Sequence, residues 1–247
     1  MLSPEFGKRA MATQARIGLI VPSSNCLSEQ QFHRYAPAGV DIQVTRIRMT
    51  SAWYRPLAEL ESVIAEAAAA LSDTKPDLIL FNCTGTSMEE GLEGEARIRA
   101  VVEKASGCPA LTTSEAINEA LKLLGLRTLV LISPYAQATN LHEIAYLKEA
   151  GFNVIHDFAL GLAGGQSYIA VSPSRWKEIV LEHLRADADG YFLSCTNTTM
   201  IETIDDLERR LGKPVITSNQ AALWACLKRL KISQPIAGLG GLFNLRA

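Results

Sequence analysis

Asp77-Leu-Ile-Leu-Phe-Asn-Cys-Thr-Gly-Thr-Ser-Met88 and Asp189-Gly-Tyr-Phe-Leu-Ser-Cys-Thr-Asn-Thr-Thr-Met200 are two copies of one stretch. Each has an acidic residue, an apolar run of the length of a buried strand, and then Cys-Thr-x-Thr-x-Met. Aligning Cys83 with Cys195 pairs Asp77 with Asp189, Thr84 with Thr196, Thr86 with Thr198 and Met88 with Met200. The copies predict two similar halves with one cysteine in each.

The order of elements around the copies agrees. Ile17–Val21 reads as a strand, closed by the turn formers Pro22-Ser-Ser-Asn25, with Ser28 a candidate helix cap. Val40–Met49 alternates as a strand does, and alanine-rich Leu57–Leu71 reads as an amphipathic helix. Strand 78–81, loop 82–87, helix 93–106, strand 108–112 and helix 114–124 follow. The order then restarts at Thr128–Ile132, closed by Ser133-Pro134-Tyr135. Cys83 and Cys195 are separated by the same interval as Pro22 and Pro134. Helix 140–150, strand 153–158, a glycine-rich loop 160–168, helix 173–185, strand 191–193, helix 204–211, strand 213–217 and helix 219–230 complete the second half. Ser172 and Gly151 are the expected N-cap and C-cap of neighbouring helices.

Alternating strands and helices predict an α/β fold of two pseudo-symmetric lobes, each a parallel sheet flanked by helices. The expected lobes are 15–113 with 219–247, and 114–218. Residues 1–14 are read as a disordered or added leader. Ligands bind such sheets outside the carboxyl ends of the strands. Both cysteine loops and both proline turns lie at such ends, so the active site is expected in the cleft between the lobes.

Composition narrows the function. The 247 residues carry a formal net charge of -2, which leaves no electrostatic footprint for nucleic acid and no basic face for a membrane. No run approaches the length of a membrane helix, and a cytoplasmic location is expected. Five cysteines are not a disulfide framework, and the four histidines have no metal-ligand spacing. Gly238-Leu-Gly-Gly does not open a helix inside a strand–helix–strand unit, so it is not a dinucleotide fingerprint. No cofactor and no metal are expected.

The loops carry the chemistry. A single cysteine after a strand is more often a small buried hydrophobe, and Cys26, Cys108 and Cys226 are read so, with Cys26 also a candidate at the cleft edge. The matched Cys-Thr pairs argue otherwise for Cys83 and Cys195. A thiol acts as nucleophile or base only as thiolate, and donors or a helix N-terminus activate it. Thr84, Thr86, Ser87, Thr196, Asn197 and Thr198 supply donors for a carboxylate. One thiol on each face of a substrate suits proton removal and return, addition to an activated double bond, or protonation after decarboxylation.

The stretch Ile17-Gly-Leu-Ile-Val-Pro-Ser-Ser-Asn25, Ser133-Pro134-Tyr135, Ser194-Cys195, Gly212-Lys-Pro-Val215 and the glycine-bearing tail resemble the aspartate/glutamate racemase superfamily. Within it they are most similar to maleate cis-trans isomerases, with arylmalonate decarboxylases next, over almost the whole chain from Ala15. The resemblance implies a cofactor-independent isomerase taking maleate to fumarate. Cys83 would add as thiolate to one alkene carbon, the adduct would rotate, and Cys195 would transfer the proton. Asn25 with Ser24 and Tyr135 would hold the substrate carboxylates, helped by Thr84, Gly85, Thr196 and Asn197. Gly165 stands where the isomerases carry a substrate-binding asparagine, with Gln166 beside it as a substitute contact. Cys83-Thr-Gly-Thr-Ser87 is closer to the racemase and decarboxylase branches, so a two-cysteine racemase or epimerase of a small amino or hydroxy acid is the alternative. A decarboxylase and a non-catalytic dicarboxylate-binding protein rank below it. The expected partner is the small substrate, and the expected assembly a homo-oligomer.

Overall fold

Two four-stranded parallel sheets form from the apolar runs in the computed structural model, which describes residues 13–49 and 56–245. β1 (Ala15–Pro22), β2 (Val40–Ile47), β3 (Leu78–Phe81) and β4 (Ala110–Thr112) lie in the order β2-β1-β3-β4. β5 (Thr128–Ser133), β6 (Asn153–Ala159), β7 (Gly190–Leu193) and β8 (Val215–Thr217) lie in the order β6-β5-β7-β8. Every pairing is parallel, and the second sheet repeats the first strand for strand. Every residue of β3 and β7 is buried, as sheets covered on both faces require.

Ten α-helices cover these sheets among the described residues. In chain order they are α1 (Ser28–Tyr35), α2 (Leu57–Ser72), α3 (Thr84–Met88), α4 (Gly91–Ser106) and α5 (Thr113–Leu123). They continue with α6 (Gln137–Glu149), α7 (Gln166–Ile169), α8 (Pro173–Glu182), α9 (Ile204–Leu211) and α10 (Ser218–Arg229). Leu57, Leu60, Ile64 and Leu71 of α2 recur at helical spacing and close the outer face of the first sheet over Ile20, Ile79 and Phe81. The inner faces meet in one apolar core, where Leu19, Leu80 and Leu111 share a cluster with Leu131, Phe192 and Ile216. No described helix is long and apolar enough to cross a membrane.

Several elements depart from their expected form. Residues 82–87, read as a loop, contain the start of α3. Ser28 begins α1 without capping it; its hydroxyl bonds instead to the Thr196 carbonyl, 3.0 Å away, in the other lobe. The Asn25 carboxamide oxygen takes the neighbouring donors, the amides of Leu27 and Ser28. A short α7 interrupts the glycine-rich loop, and α8 ends at Glu182. Ser172 caps α8 as expected, through the Arg175 amide. The expected leader falls outside the described residues up to residue 12.

The repeated aspartates are structural. Asp77 accepts the Arg16 amide at 2.7 Å, and Asp189 accepts the amides of Arg127 and Thr128 at 2.8 and 2.7 Å. Each carboxylate ties the start of its strand to the central neighbour. We propose the lobe boundaries 15–113 with 219–247, and 114–218. α10 follows β8 in sequence yet also packs on α1 and β3, and α5 packs on β8 as well as β4.

The amides around Asp189 hold its carboxyl below the ordinary range. A depressed carboxyl contributes stability that is present above its unfolded pKa and is lost as pH falls through the folded one. Asp189→Asn is expected to unfold at lower urea than the wild type at neutral pH, with the gap closing as both are acidified toward the carboxylate range. A gap independent of pH would disprove the assignment.

Candidate active site

A cavity of about 460 Å³ opens at the carboxyl ends of both sheets. Cys83 and Cys195 both line it, as do Ser24, Asn25, Thr84, Gly85, Tyr135, Gly165, Thr196 and Asn197. Gln166 does not: its side chain is exposed and its amide lies 3.8 Å from the Cys26 sulfur. Cys26 likewise lies outside the cavity wall, its amide bonded to the Asn197 carboxamide at 2.9 Å. Cys108 and Cys226 are packed away from the site, and all five cysteines are free thiols.

Cys83 is the N-cap of α3, in extended backbone. Its thiol points at the first turn and donates to the Thr86 hydroxyl at 3.3 Å, with the Thr86 amide also directed at the sulfur. Burial raises its pKa, and these two donors act in the opposite sense. Cys195 sits differently. It is buried, and its φ of 131° lies in the region that favours glycine. Its sulfur accepts the Asn197 amide at 3.3 Å and faces the Tyr135 hydroxyl. Burial pushes this thiol up to about 12. Tyr135 is itself buried and packs edge-to-face on Tyr168, ring centres 5.6 Å apart.

Ser218, the first residue of α10, joins the two cysteine loops. Its hydroxyl accepts the Cys195 amide at 3.0 Å and the Thr84 hydroxyl at 2.9 Å. Around it runs a buried polar lattice. The Asn25 amide reaches the Thr196 hydroxyl at 3.0 Å and the Ser28 hydroxyl at 2.8 Å. The Asn219 amide reaches the Thr196 carbonyl and the Gln31 carboxamide, and its oxygen accepts from Asn82. The Asn197 amide bridges the carbonyls of Ser24 and Gly165. Among the described residues no lysine or arginine lines the cavity, so an anion there meets neutral donors.

Glu143 on α6 lies behind the thiols with no exposed surface. One oxygen accepts the Ser194 hydroxyl at 2.9 Å, and the other has no partner among the described residues. A carboxylate buried without a cation is costly, so burial drives this carboxyl up to about 8 and keeps it protonated at neutral pH. Its charge, when present, disfavours both thiolates and both tyrosinates. Neither Glu143 nor Ser218 has a distinctive sequence context. Thr86 does, through the repeat, and is the donor that best fits that signal.

Two parallel-sheet lobes that deliver one thiol each to a single donor-lined cavity have the architecture of an α/β enzyme. The family model described as arylmalonate decarboxylase matches residues 17–243, and the chain belongs to that family. The maleate isomerase of Pseudomonas putida is 27% identical over 242 residues, covering 93% of this chain and 97% of that protein. The arylmalonate decarboxylase of Bordetella bronchiseptica is 28% identical over 173 residues, 69% of this chain and 72% of that protein. The solved structure of a mutant Nocardia farcinica maleate cis-trans isomerase with a covalently bound succinylcysteine intermediate has the same fold. It superposes with a TM-score of 0.85 at 23% identity, over 93% of this chain and 98% of that one.

An acid raised on folding makes the native state hold more protons than the unfolded chain between the ordinary 4.5 and about 8, so the stability of the fold declines as pH rises through that window. Glu143→Gln keeps the shape and removes the titration. The variant is expected to gain urea resistance over the wild type as pH rises from 4.5 to 8, by up to a few kcal/mol. A difference that stays constant across the window would refute a buried, proton-loaded Glu143.

Proposed function

We propose that this chain is a cofactor-independent cis-trans isomerase of a small unsaturated dicarboxylate, taking maleate to fumarate. The carrying observation is one thiol from each lobe in the wall of one donor-lined cavity. In this reading Cys83 is the nucleophile. It stands at the N-cap position of α3, and once ionised it can accept from the Thr86 amide and hydroxyl, which favour the thiolate. Cys195, buried and pushed up to about 12, remains a thiol and is suited to be the acid.

The Cys83 sulfur adds to one alkene carbon, forming a carbon–sulfur bond and moving the π electrons onto the neighbouring carbon and its carboxylate. The Cys195 S–H gives its proton to that carbon. The resulting single bond rotates, which the double bond forbids. Cys195, now thiolate, removes a proton from the same carbon, the double bond re-forms and the Cys83 thiolate leaves. The sum is an isomerisation with both thiols restored. Thr84, Thr196, Asn25, Asn197, Ser24, Gly85, Gly165 and Tyr135 are assigned to the carboxylates, where donors aimed at developing charge lower the barrier. The succinylcysteine of the Nocardia farcinica structure is the adduct this scheme forms. Gln166 is not assigned to the substrate, because it lies outside the cavity wall. A homo-oligomer is part of this proposal on the family resemblance alone.

The matched Cys-Thr pairs also suit a racemase that uses the two thiols as opposed bases. Incubation with maleate in heavy water, followed by proton NMR, separates the readings. Fumarate is expected from the wild type. Cys83→Ser is expected to lose turnover by at least about a thousandfold. Cys195→Ser is expected to accumulate a succinyl adduct on Cys83, detected by mass spectrometry. Exchange of an α proton of an amino or hydroxy acid without alkene isomerisation selects the racemase, and carbon dioxide release from a malonate selects a decarboxylase. Adduct found on Cys195 and never on Cys83 reverses the roles.

A further inference from the structure

The cavity wall continues past the thiols onto residues of α3 and α6. Gly85 of α3 and Thr139 of α6 face each other there; a Cβ at Gly85 would lie 3.7 Å from the Thr139 methyl, an ordinary contact, so the two helices meet at this point and floor the cavity. Glu89 caps the far end of α3, and His142 lies one turn beyond Thr139 on α6; both line the same cavity. At a rise of about 1.5 Å per residue, Glu89 is about 9 Å along the helix from Cys83. The carboxyl carbons of a four-carbon cis diacid are separated by three bonds of about 1.5 Å, so by less than about 4.5 Å. A cavity of about 460 Å³ falls in the range that encloses ligands larger than such a diacid.

The far end also differs in chemistry. Around the thiols the wall is made of donors. Glu89 and His142 add a carboxylate, which only accepts, and an exposed imidazole, which when neutral accepts at one nitrogen and donates at the other. Neither side chain makes a hydrogen bond or ion pair among the described residues, and Glu89 is half-buried. Burial and the neighbouring Glu90 raise the Glu89 carboxyl, so this charge is disfavoured where it stands. A carboxylate in the wall of a site for dianions repels them unless the ligand brings something to pair with it.

We propose that the natural substrate is a cis-butenedioate carrying a chain that ends in a cationic hydrogen-bond donor, housed in the cavity over the contact of α3 with α6 and against Glu89 and His142. This rests on the isomerase reading for the diacid end and adds the substituent. The diacid sits on the donors beside Cys83 and Cys195. The chain runs over Gly85 and Thr139 at the cavity floor. The terminal ammonium lies between Glu89 and His142, and the Glu89 carboxylate opposes a third carboxylate there. Specificity then comes from an attractive contact and a repulsive one at a single place.

Three alkylated diacids of equal reach test this: 2-(3-aminopropyl)maleate, 2-butylmaleate and 2-(2-carboxyethyl)maleate. Two readouts are taken, isomerisation by NMR and protection of Cys83 from iodoacetamide. In the wild type the amine is expected to exceed the butyl compound by at least about tenfold in kcat/KM and in protection, and the carboxylate to fall below the butyl compound by a similar factor. In Glu89→Gln the amine-to-butyl ratio is expected to fall to near one; being a ratio within one variant, it does not depend on how much activity the variant keeps. Equal protection by amine and butyl compounds in the wild type would overturn the proposal, as would a ratio unchanged in Glu89→Gln. If the amine protects best but none of the three compounds nor maleate is isomerised, the compartment stands and the isomerase reading fails.

Discussion

The Ser218 hydroxyl accepts one hydrogen bond from each cysteine loop, from the Cys195 amide and from the Thr84 hydroxyl. Ser218 sits at the first turn of α10, held there by the Thr217–Gln220 capping box that starts the helix. A small buried hydroxyl thus sets the spacing between loops that are far apart in sequence. Asn25, Asn197 and Asn219 add further bonds across the same plane. Such a network is stiff when every member is satisfied and costly when one is lost, because the remaining groups are buried. The two thiols are therefore placed by backbone and amide geometry before any ligand arrives, which is what catalysis by pre-organised groups needs.

The electrostatics of the cavity follow from the same choice. Among the described residues it is lined without lysine or arginine. Burial raises both thiols, and the ionised form of Glu143 would raise them further. Stabilising a thiolate here falls to dipoles: the first turn of α3 and the Thr86 hydroxyl at Cys83, and the Asn197 amide with the Tyr135 hydroxyl at Cys195. A protonated Glu143 fits that scheme. As a neutral acid it accepts from Ser194 and contributes no charge; as an anion it would oppose both thiolates. Glu143 thus ties the thiols' behaviour to pH from a position that touches neither sulfur.

The succession of strands and helices, the lobe repetition and the two loop thiols are legible in the residues, because apolar runs of strand length and a repeated cysteine motif are local signals; the order of strands within each sheet is not. Residue roles that depend on partners across the lobes were not. Ser28 has the look of a helix cap, yet its hydroxyl is drawn to the Thr196 carbonyl. Asp77 and Asp189 carry the repeat's acid, and only the fold gives it a role: they clamp strand starts through backbone amides. Gln166 follows Gly165 closely enough to stand in for a missing amide, but Gly165 has a φ of +53° and α7 turns the next side chain outward. Glu143 and Ser218 carry no motif at all; burial and hydrogen bonding single them out, and both are products of the tertiary fold.

The repeat does not produce two equal halves at the site. Cys-Thr-Gly-Thr-Ser-Met folds into a helical turn in the first lobe, with Cys83 as its extended N-cap. Cys-Thr-Asn-Thr-Thr-Met folds into turns and a 3-10 segment at Met200–Thr203 in the second, with Cys195 at a φ of 131°. A non-glycine residue holds that backbone only where its surroundings impose it, and the Ser218 and Thr198 hydroxyls bond to the Cys195 amide and carbonyl. The consequence is chemical. One sulfur faces a helix start that favours its anion, while the other is enclosed where its proton is retained. The proposed division of roles, Cys83 as nucleophile and Cys195 as acid, rests on this difference in local backbone; addition followed by protonation needs such a division, whereas two-base proton exchange does better with matched partners.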